Sequence, residues 1–323
     1  MRNGWHIVVS GILLLTVGLA PTVPAKEFQF EYQKILSTGQ DAELTLSYIS
    51  GTLSLTQSDD DRVIIEARKR VSAVNSDEAQ MAADHIEIKV DQNGRKVTVS
   101  TNYLRMRNHS RSFWSKVLGS GGEDTFGEVD WDIRVPVGSK VSVVNTGGTV
   151  KISHLVGNME IRSSAADIEL LSIEGAVNVE NSSGSLTGEL LFGTVDIRQA
   201  LGRIDLKFIE GDIRVKSSSA NIAIRQDQGA LDLTTASGNV DIQTNLNSSR
   251  DYFVATESGH IRLTIPETSS GDLRIESQTG DIKTEIPITI KSMSRKQVEG
   301  SFGFGGVKIN LTSVSGDVTV AQF

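Results

Sequence analysis

The 323-residue chain has no cysteine. That excludes a disulfide framework, thiolate chemistry and a lipid-bearing cysteine behind a leader. Positive charge is in deficit: 32 Lys and Arg against 40 Asp and Glu leave a formal charge of −8. Nucleic acid is therefore not an expected partner, since that would call for a basic stripe. Beyond the first 25 residues no apolar run approaches the ~20 residues needed to span a bilayer. There is no G-x-S-x-G, no phosphate loop and no Ser/His/Asp spacing that would support a triad. The histidines, His85, His109, His154 and His260 among them, are scattered without metal-ligand spacing. No cofactor and no metal site is expected.

What is present is a period. GTVKI, GNMEI, ADIEL, GAVNV, GSLTG, GTVDI, GRIDL, GDIRV, ANIAI, GALDL and GNVDI follow one another from Gly148 to Ile242, each starting nine residues after the last. Such a period marks a stacked repeat and dominates any other signal. Within a unit the second and fourth residues after the glycine are aliphatic (Val195 and Ile197, Ile213 and Val215), with Asp196 and Arg214 between them. Alternation at period two over a short β-branched run describes a strand with one buried face. The glycine supplies a corner where φ turns positive. A single strand cannot bury its own face, so the core must come from stacked neighbours.

A second period lies inside the first. Leu155, Ile173, Leu191 and Ile209 precede alternate glycines by two positions, whereas Ser164, Ser182, Ser218 and Ala236 precede the others. The expected fold is therefore all-β, a single elongated parallel β-helix (β-solenoid). Each eighteen-residue coil holds two nine-residue strand units, one large corner and one small corner, and contacts only its neighbours. Residues eighteen apart become ladder partners ~4.8 Å away. On that register Arg162, Glu180 and Arg198 stack, as do Asp196, Arg214 and Asp232; Lys151 faces Glu169, and Glu189 faces Lys207. Opposite charges so placed contribute ~0.2–1 kcal/mol each. Asp227 breaks the pattern of large corners. Gly188 falls on an inward position, a space that Phe192 or Phe208 is expected to fill.

Around this core, residues 1–25 read as a signal peptide: Arg2, the apolar stretch Ile7–Ala20, and Val23-Pro24-Ala25 as a cleavage site. The mature chain is expected to begin at Lys26 and to form one domain, 26–323. Its irregular N-terminal part, 26–147, already looks coil-like over 43–70. Asn75, with Glu78 three positions on, opens a short capping helix over 76–85, with Ala79, Met81, Ala82, Ala83 and Ile86 on its apolar side. Strands return at Ile86–Val90 and Lys96–Thr101. An inserted loop, 103–125, interleaves Tyr103, Phe113 and Trp114 with Arg105, Arg107, Arg111 and Lys116. It either packs on the solenoid or presents Arg111, Phe113 and Trp114 to a partner. Over 243–323 the coils are irregular, with an insertion from Pro287 to Gly305.

Four features resemble the bacterial DUF4097-type "putative adhesin" domain. They are the S-G-[DNH]-[VI]-x-[VIL] strands at Ser258–Leu263, Ser270–Ile275 and Ser315–Val320, the acidic helix after the first strands, W-D-I-R-V-P-V-G at 131–138, and the run from Arg295 to Gly306 ending in S-V-S-G-D-V-T-V. The resemblance spans nearly all of the mature sequence and implies an exported β-solenoid without a defined biochemical role.

Two enzymatic or metal-binding alternatives need chemistry the units lack. A calcium β-roll needs G-G-x-G-x-D in each unit, whereas each unit here has one glycine, and Asp196, Asp205, Asp232 and Asp241 fall on outward faces. A polysaccharide-active β-helix needs clustered acids. Asp205 and Asp241 share a face across Ala223, roughly ~9–10 Å apart from strand spacing, a pairing that any surface ladder offers. The expectation is a non-catalytic, adhesin-like binding or scaffold protein of the periplasm or cell surface. It would be a monomer, without membrane insertion once its signal is cleaved, and its partner an envelope protein or polysaccharide. A structural, polymer-forming solenoid is the alternative, with an enzyme a distant third.

Overall fold

The computed structural model describes residues 26–103, 127–246 and 250–323. The signal segment 1–25 and Arg111, Phe113 and Trp114 of the inserted loop lie outside the described residues. The N-terminal elements are β1 (Lys26–Ser37), β2 (Glu43–Tyr48), β3 (Thr52–Gln57), β4 (Arg62–Ala73), α1 (Ser76–Asp84), β5 (Ile86–Asn93), β6 (Lys96–Tyr103) and β7 (Glu128–Val135). The regular coils comprise β8 (Lys140–Val156), β9 (Asn158–Glu174), β10 (Val177–Ser183), β11 (Ser185–Phe192), β12 (Val195–Glu210), β13 (Ile213–Gln228), β14 (Leu231–Ser237) and β15 (Val240–Thr244). The chain ends in β16 (Tyr252–Ser258), β17 (Ile261–Ile265), β18 (Gly271–Ser277), β19 (Ile282–Thr284), β20 (Thr289–Met293), β21 (Gln297–Phe302), β22 (Val307–Ser315) and β23 (Val318–Gln322).

The fold is all-β and solenoid-like, with one helix among the described residues. In the repeat, strands pair in parallel at an offset of eighteen: Met159 with Val177, Val177 with Val195, Val195 with Ile213, Ile213 with Leu231. The alternating residues do as their polarity demands. Val195, Ile197, Ile213 and Val215 are buried, while Asp196 and Arg214 between them face out and pair at 3.6 Å. The charge stacks form at Arg162–Glu180 (3.4 Å), Glu180–Arg198 (2.9 Å), Lys151–Glu169 (2.8 Å) and Arg214–Asp232 (3.5 Å). Lys207 faces Glu189 in register but pairs with Asp205, 3.7 Å away.

The two corners differ in backbone as well as in side chain. At the large corner His154, Ser172, Leu190 and Phe208, eighteen apart, take left-handed φ of 53–57°. Each turns the chain so that the next residue, Leu155, Ile173, Leu191 or Ile209, points into the core. At the following coil Gln226 takes over this inward role, donating from Nε2 to the carbonyls of Gly211 (2.8 Å) and Ala230 (3.0 Å), across a bulge opposite Ile209. The close approach of coils at these corners leaves no room for a side chain: at Gly211, with φ of 148°, an added Cβ would run into the carbonyl of Gly193.

Gly188 and the chain's ends depart from expectation. The space over Gly188 is taken by Leu191 and Leu206, whose methyl carbons lie 2.9 Å from where a Cβ would stand, while Phe192 and Phe208 are exposed. At the ends, moreover, spatial order departs from chain order. The coil β2–β3 lies between β8 and the outer strands β6 and β7. Outside these run antiparallel strands: β5 on β6, then β4 on β7 and β1 on β4. So 62–70, expected to continue the coil, belongs to an antiparallel extension. The other end mirrors this: β22 and β23, last in the chain, sit between β16–β17 and β18–β19. Antiparallel β21 and β20 then close the outer edge of β18.

Helix α1 packs on β4 and touches β1 and β5 through Ala79, Ala82 and Ala83. Asn75 caps it, its Oδ1 accepting from the Glu78 amide at 2.9 Å. Met81, expected on the apolar side, is exposed instead.

Candidate functional site

The small corner builds a groove of about 700 Å³ along the solenoid axis from Val144 to Ser218. Because each coil repeats the corner, the groove is made of rows. One wall carries Arg162, Glu180, Arg198 and Lys216; the other carries Ser164, Ser182, Ala200 and Ser218. Between them runs a deeper row, Asn145, Ser163, Asn181, Gln199 and Ser217. Five stacked coils give it a length of about 19 Å at the strand spacing.

The deep row is polar for a structural reason. The turn toward each corner leaves buried carbonyls that the ladder alone does not satisfy, and buried carbonyls need partners. Asn145 Nδ2 donates to Gly147 O at 2.9 Å, Asn181 Nδ2 to Ala166 O at 2.9 Å, and Gln199 Nε2 to Gly184 O at 3.0 Å. That use leaves a surplus. Asn145 Oδ1, Ser163 Oγ, Gln199 Oε1 and Ser217 Oγ are buried without a hydrogen-bond partner among the described residues. These oxygens lie sealed beneath the groove floor, so the groove's accessible polar surface is the exposed Ser164, Ser182 and Ser218 of the facing wall.

The charged wall is nearly self-compensated. Arg162 and Arg198 both pair with Glu180, and Arg198 also approaches Asp196 at 3.8 Å. Only Lys216 on this wall lacks an ion pair among the described residues. The groove therefore offers serine hydroxyls and a weakly positive rim.

The chain matches the Toastrack DUF4097 family over residues 43–321. It belongs to that family. Among solved structures this Toastrack chain is similar to a "putative adhesin" from Bacteroides fragilis at 13% identity (92% of this chain, 97% of that chain, TM-score 0.39). It is also similar to a "putative lipid binding protein" from Parabacteroides distasonis at 12% identity (91% and 96%, TM-score 0.38). A "putative cell adhesion protein" from Clostridium sporogenes shows 10% identity (92% and 100%, TM-score 0.28). No curated protein matches.

In this Toastrack protein Tyr103 and Gly127 bracket the inserted loop whose Arg111, Phe113 and Trp114 were the expected partner-binding residues. Those two flanks meet through the Tyr103 hydroxyl, which donates to the Gly127 carbonyl at 3.4 Å. Burial pushes the Tyr103 phenol up to about 12, with Glu128 adding to it. Of the acids weighed as a hydrolytic pair, Asp205 and Asp241 do share a face across Ala223. Asp205, however, is engaged by Arg203 at 3.1 Å and by Lys207. His154 is an exposed corner residue, His85 ends α1 with Nδ1 2.6 Å from the Met81 carbonyl, and His260 Nδ1 accepts from the Asp317 amide at 3.1 Å. No group of three or more His, Asp or Glu among the described residues is arranged to hold a metal. Sequence reasoning missed the groove, although its signal was present: small Ser residues at alternate corners, with Asn or Gln one position earlier at 181 and 199.

Proposed function

We propose that the protein is an exported, non-catalytic binding protein of the bacterial envelope, whose small-corner groove receives an extended polysaccharide chain. The observation that carries this reading is the row of exposed serine hydroxyls, Ser164, Ser182 and Ser218, facing the Arg162–Lys216 wall along the groove. A linear glycan presents hydroxyls at a recurring interval and can pair them with these serines and with the Arg162, Arg198 and Lys216 side chains as it passes. The partly compensated rim suits a neutral or mildly acidic chain. In this reading residues 1–25 direct export and are removed, 26–323 act as one domain, and α1 serves as a lid at the N-terminal end. Antiparallel strands β1, β5 and β20 along the terminal edges favour a monomer over an end-stacking polymer, since they interrupt the parallel pairing by which coils stack.

The test is titration of the mature chain with envelope polysaccharides, followed by calorimetry, with Ser182→Arg as the blocking variant. Ser182 is exposed on the groove wall, so the variant should keep its melting temperature while losing measurable binding. Binding that survives Ser182→Arg unchanged would remove the groove from the reading.

A further inference from the structure

The segment 286–298 contains Lys291, Arg295 and Lys296 and no acidic residue, in a chain of net charge −8. Strand β20 and the turn after it, 289–296, are exposed throughout, because β20 is an outer edge strand paired, among the described residues, only with β21. Three large apolar side chains stand out of the same ribbon and the adjoining turn: Ile290 and Met293, more than half exposed, and Phe304, fully exposed. The turn is tied to the ribbon by Asp272, whose carboxylate accepts from Lys291 Nζ at 3.1 Å, Ser301 Oγ at 2.6 Å and the Gly306 amide at 3.4 Å. Ser270 Oγ, accepting from the Phe304 amide at 3.1 Å, fixes the turn further. Phe304 is thus held outward on an anchored turn. Arg295 and Lys296 form no ion pair with any described residue.

Lysines and a bulge on an edge strand protect it from pairing with other chains, and the register break around Lys291 fits that purpose. Edge protection does not call for Met293 and Phe304, which work against solubility. Basic residues interleaved with exposed apolar ones, on one end of an acidic protein, match the interface of an anionic bilayer: the cations meet the headgroups and the apolar side chains enter below them. We propose that the tip formed by β20 and the 302–306 turn docks on an anionic phospholipid surface, so that the solenoid stands with its groove projecting away. The docking does not depend on what the groove binds.

The experiment is flotation of the mature full chain with vesicles of phosphatidylcholine alone and of phosphatidylcholine doped with phosphatidylglycerol. The expected result is association with the anionic vesicles only, weakening as salt screens the charges. The double variant Arg295→Glu, Lys296→Glu should reduce vesicle association about tenfold or more, at an unchanged melting temperature. Phe304→Ser should reduce it also, and Met293→Ser supplies the same test should Phe304→Ser fail to fold. Ser182→Arg in the groove should leave vesicle binding as it was, which separates this proposal from the groove reading. Absence of wild-type binding at low salt, equal binding to neutral vesicles, or charge-reversed variants that bind like the wild type would each overturn the tip assignment.

Discussion

At the scale of single residues the repeat imposes opposite demands on neighbours. Ile213 is buried between Val195 and Leu231, whereas Arg214 points out between Asp196 and Asp232. Truncating the first removes core atoms and leaves a cavity that a stacked coil cannot collapse, so Ile213→Ala should cost ~2–5 kcal/mol. Truncating the second loses two exposed ion pairs, so Arg214→Ala should cost under ~1 kcal/mol. Denaturant melts of the two variants check this, and equal costs would reverse the assignment of faces. This alternation was legible because it is a property of side chains read two at a time. The left-handed backbone at Leu190 and Phe208 was not. Bulky residues rarely adopt that conformation, so nothing in either side chain announces it. Only the buried Leu191 and Ile209 that follow show why the turn must occur there.

At the scale of elements, legibility followed locality. The N-cap of α1 is a contact between residues three apart, Asn75 and Glu78, and was readable in the sequence. The far end of the helix is completed by Lys69 of β4, donating from Nζ to the Ala83 carbonyl at 2.9 Å, a contact set by packing that no local spacing encodes. The C-terminal ribbon shows the same dependence on distant residues, and it makes a pH prediction. Ser301 and then Lys291 and the Gly306 amide hold the Asp272 carboxyl down from 3.8 to about 2. A carboxylate whose folded pKa is depressed contributes stability that is present above its unfolded value and is lost as pH falls through its folded one. The ribbon 289–306 should therefore loosen as pH drops from 3.8 toward about 2. Pepsin, active in that window, should cut 289–306 increasingly early as the pH falls. In Asp272→Asn the ribbon should be cut readily and with little pH dependence across the window. A wild-type ribbon equally resistant throughout would show that Asp272 does not hold it.

At the scale of the whole molecule the decisive feature is the order of coils. A solenoid built in chain order would lose only its last turn on truncation, as the nearest-neighbour logic of repeat proteins implies. Here β22 is the parallel partner of both β16 and β18, and β23 lies between β17 and β19. The sequence could not reveal this, since Gly271, Gly280, Gly306 and Gly316 open similar strands and nothing in a strand names its neighbour. Removing 307–323 should therefore do more than shorten the rod. It strips the partners from β18 and β19, so that 271–302 has nothing to dock on, and it exposes the core at β16 and β17. The truncated chain should lose strand signal in circular dichroism well beyond the share of residues deleted. It should also show proteolysis throughout 271–302 and melt at a lower temperature. Removing 26–37 takes away only β1, an edge strand whose one strand partner among the described residues is β4, itself still paired with β7, and should cost far less. Protection of 271–302 that persists without 307–323 would mean the terminal coils stack in chain order after all.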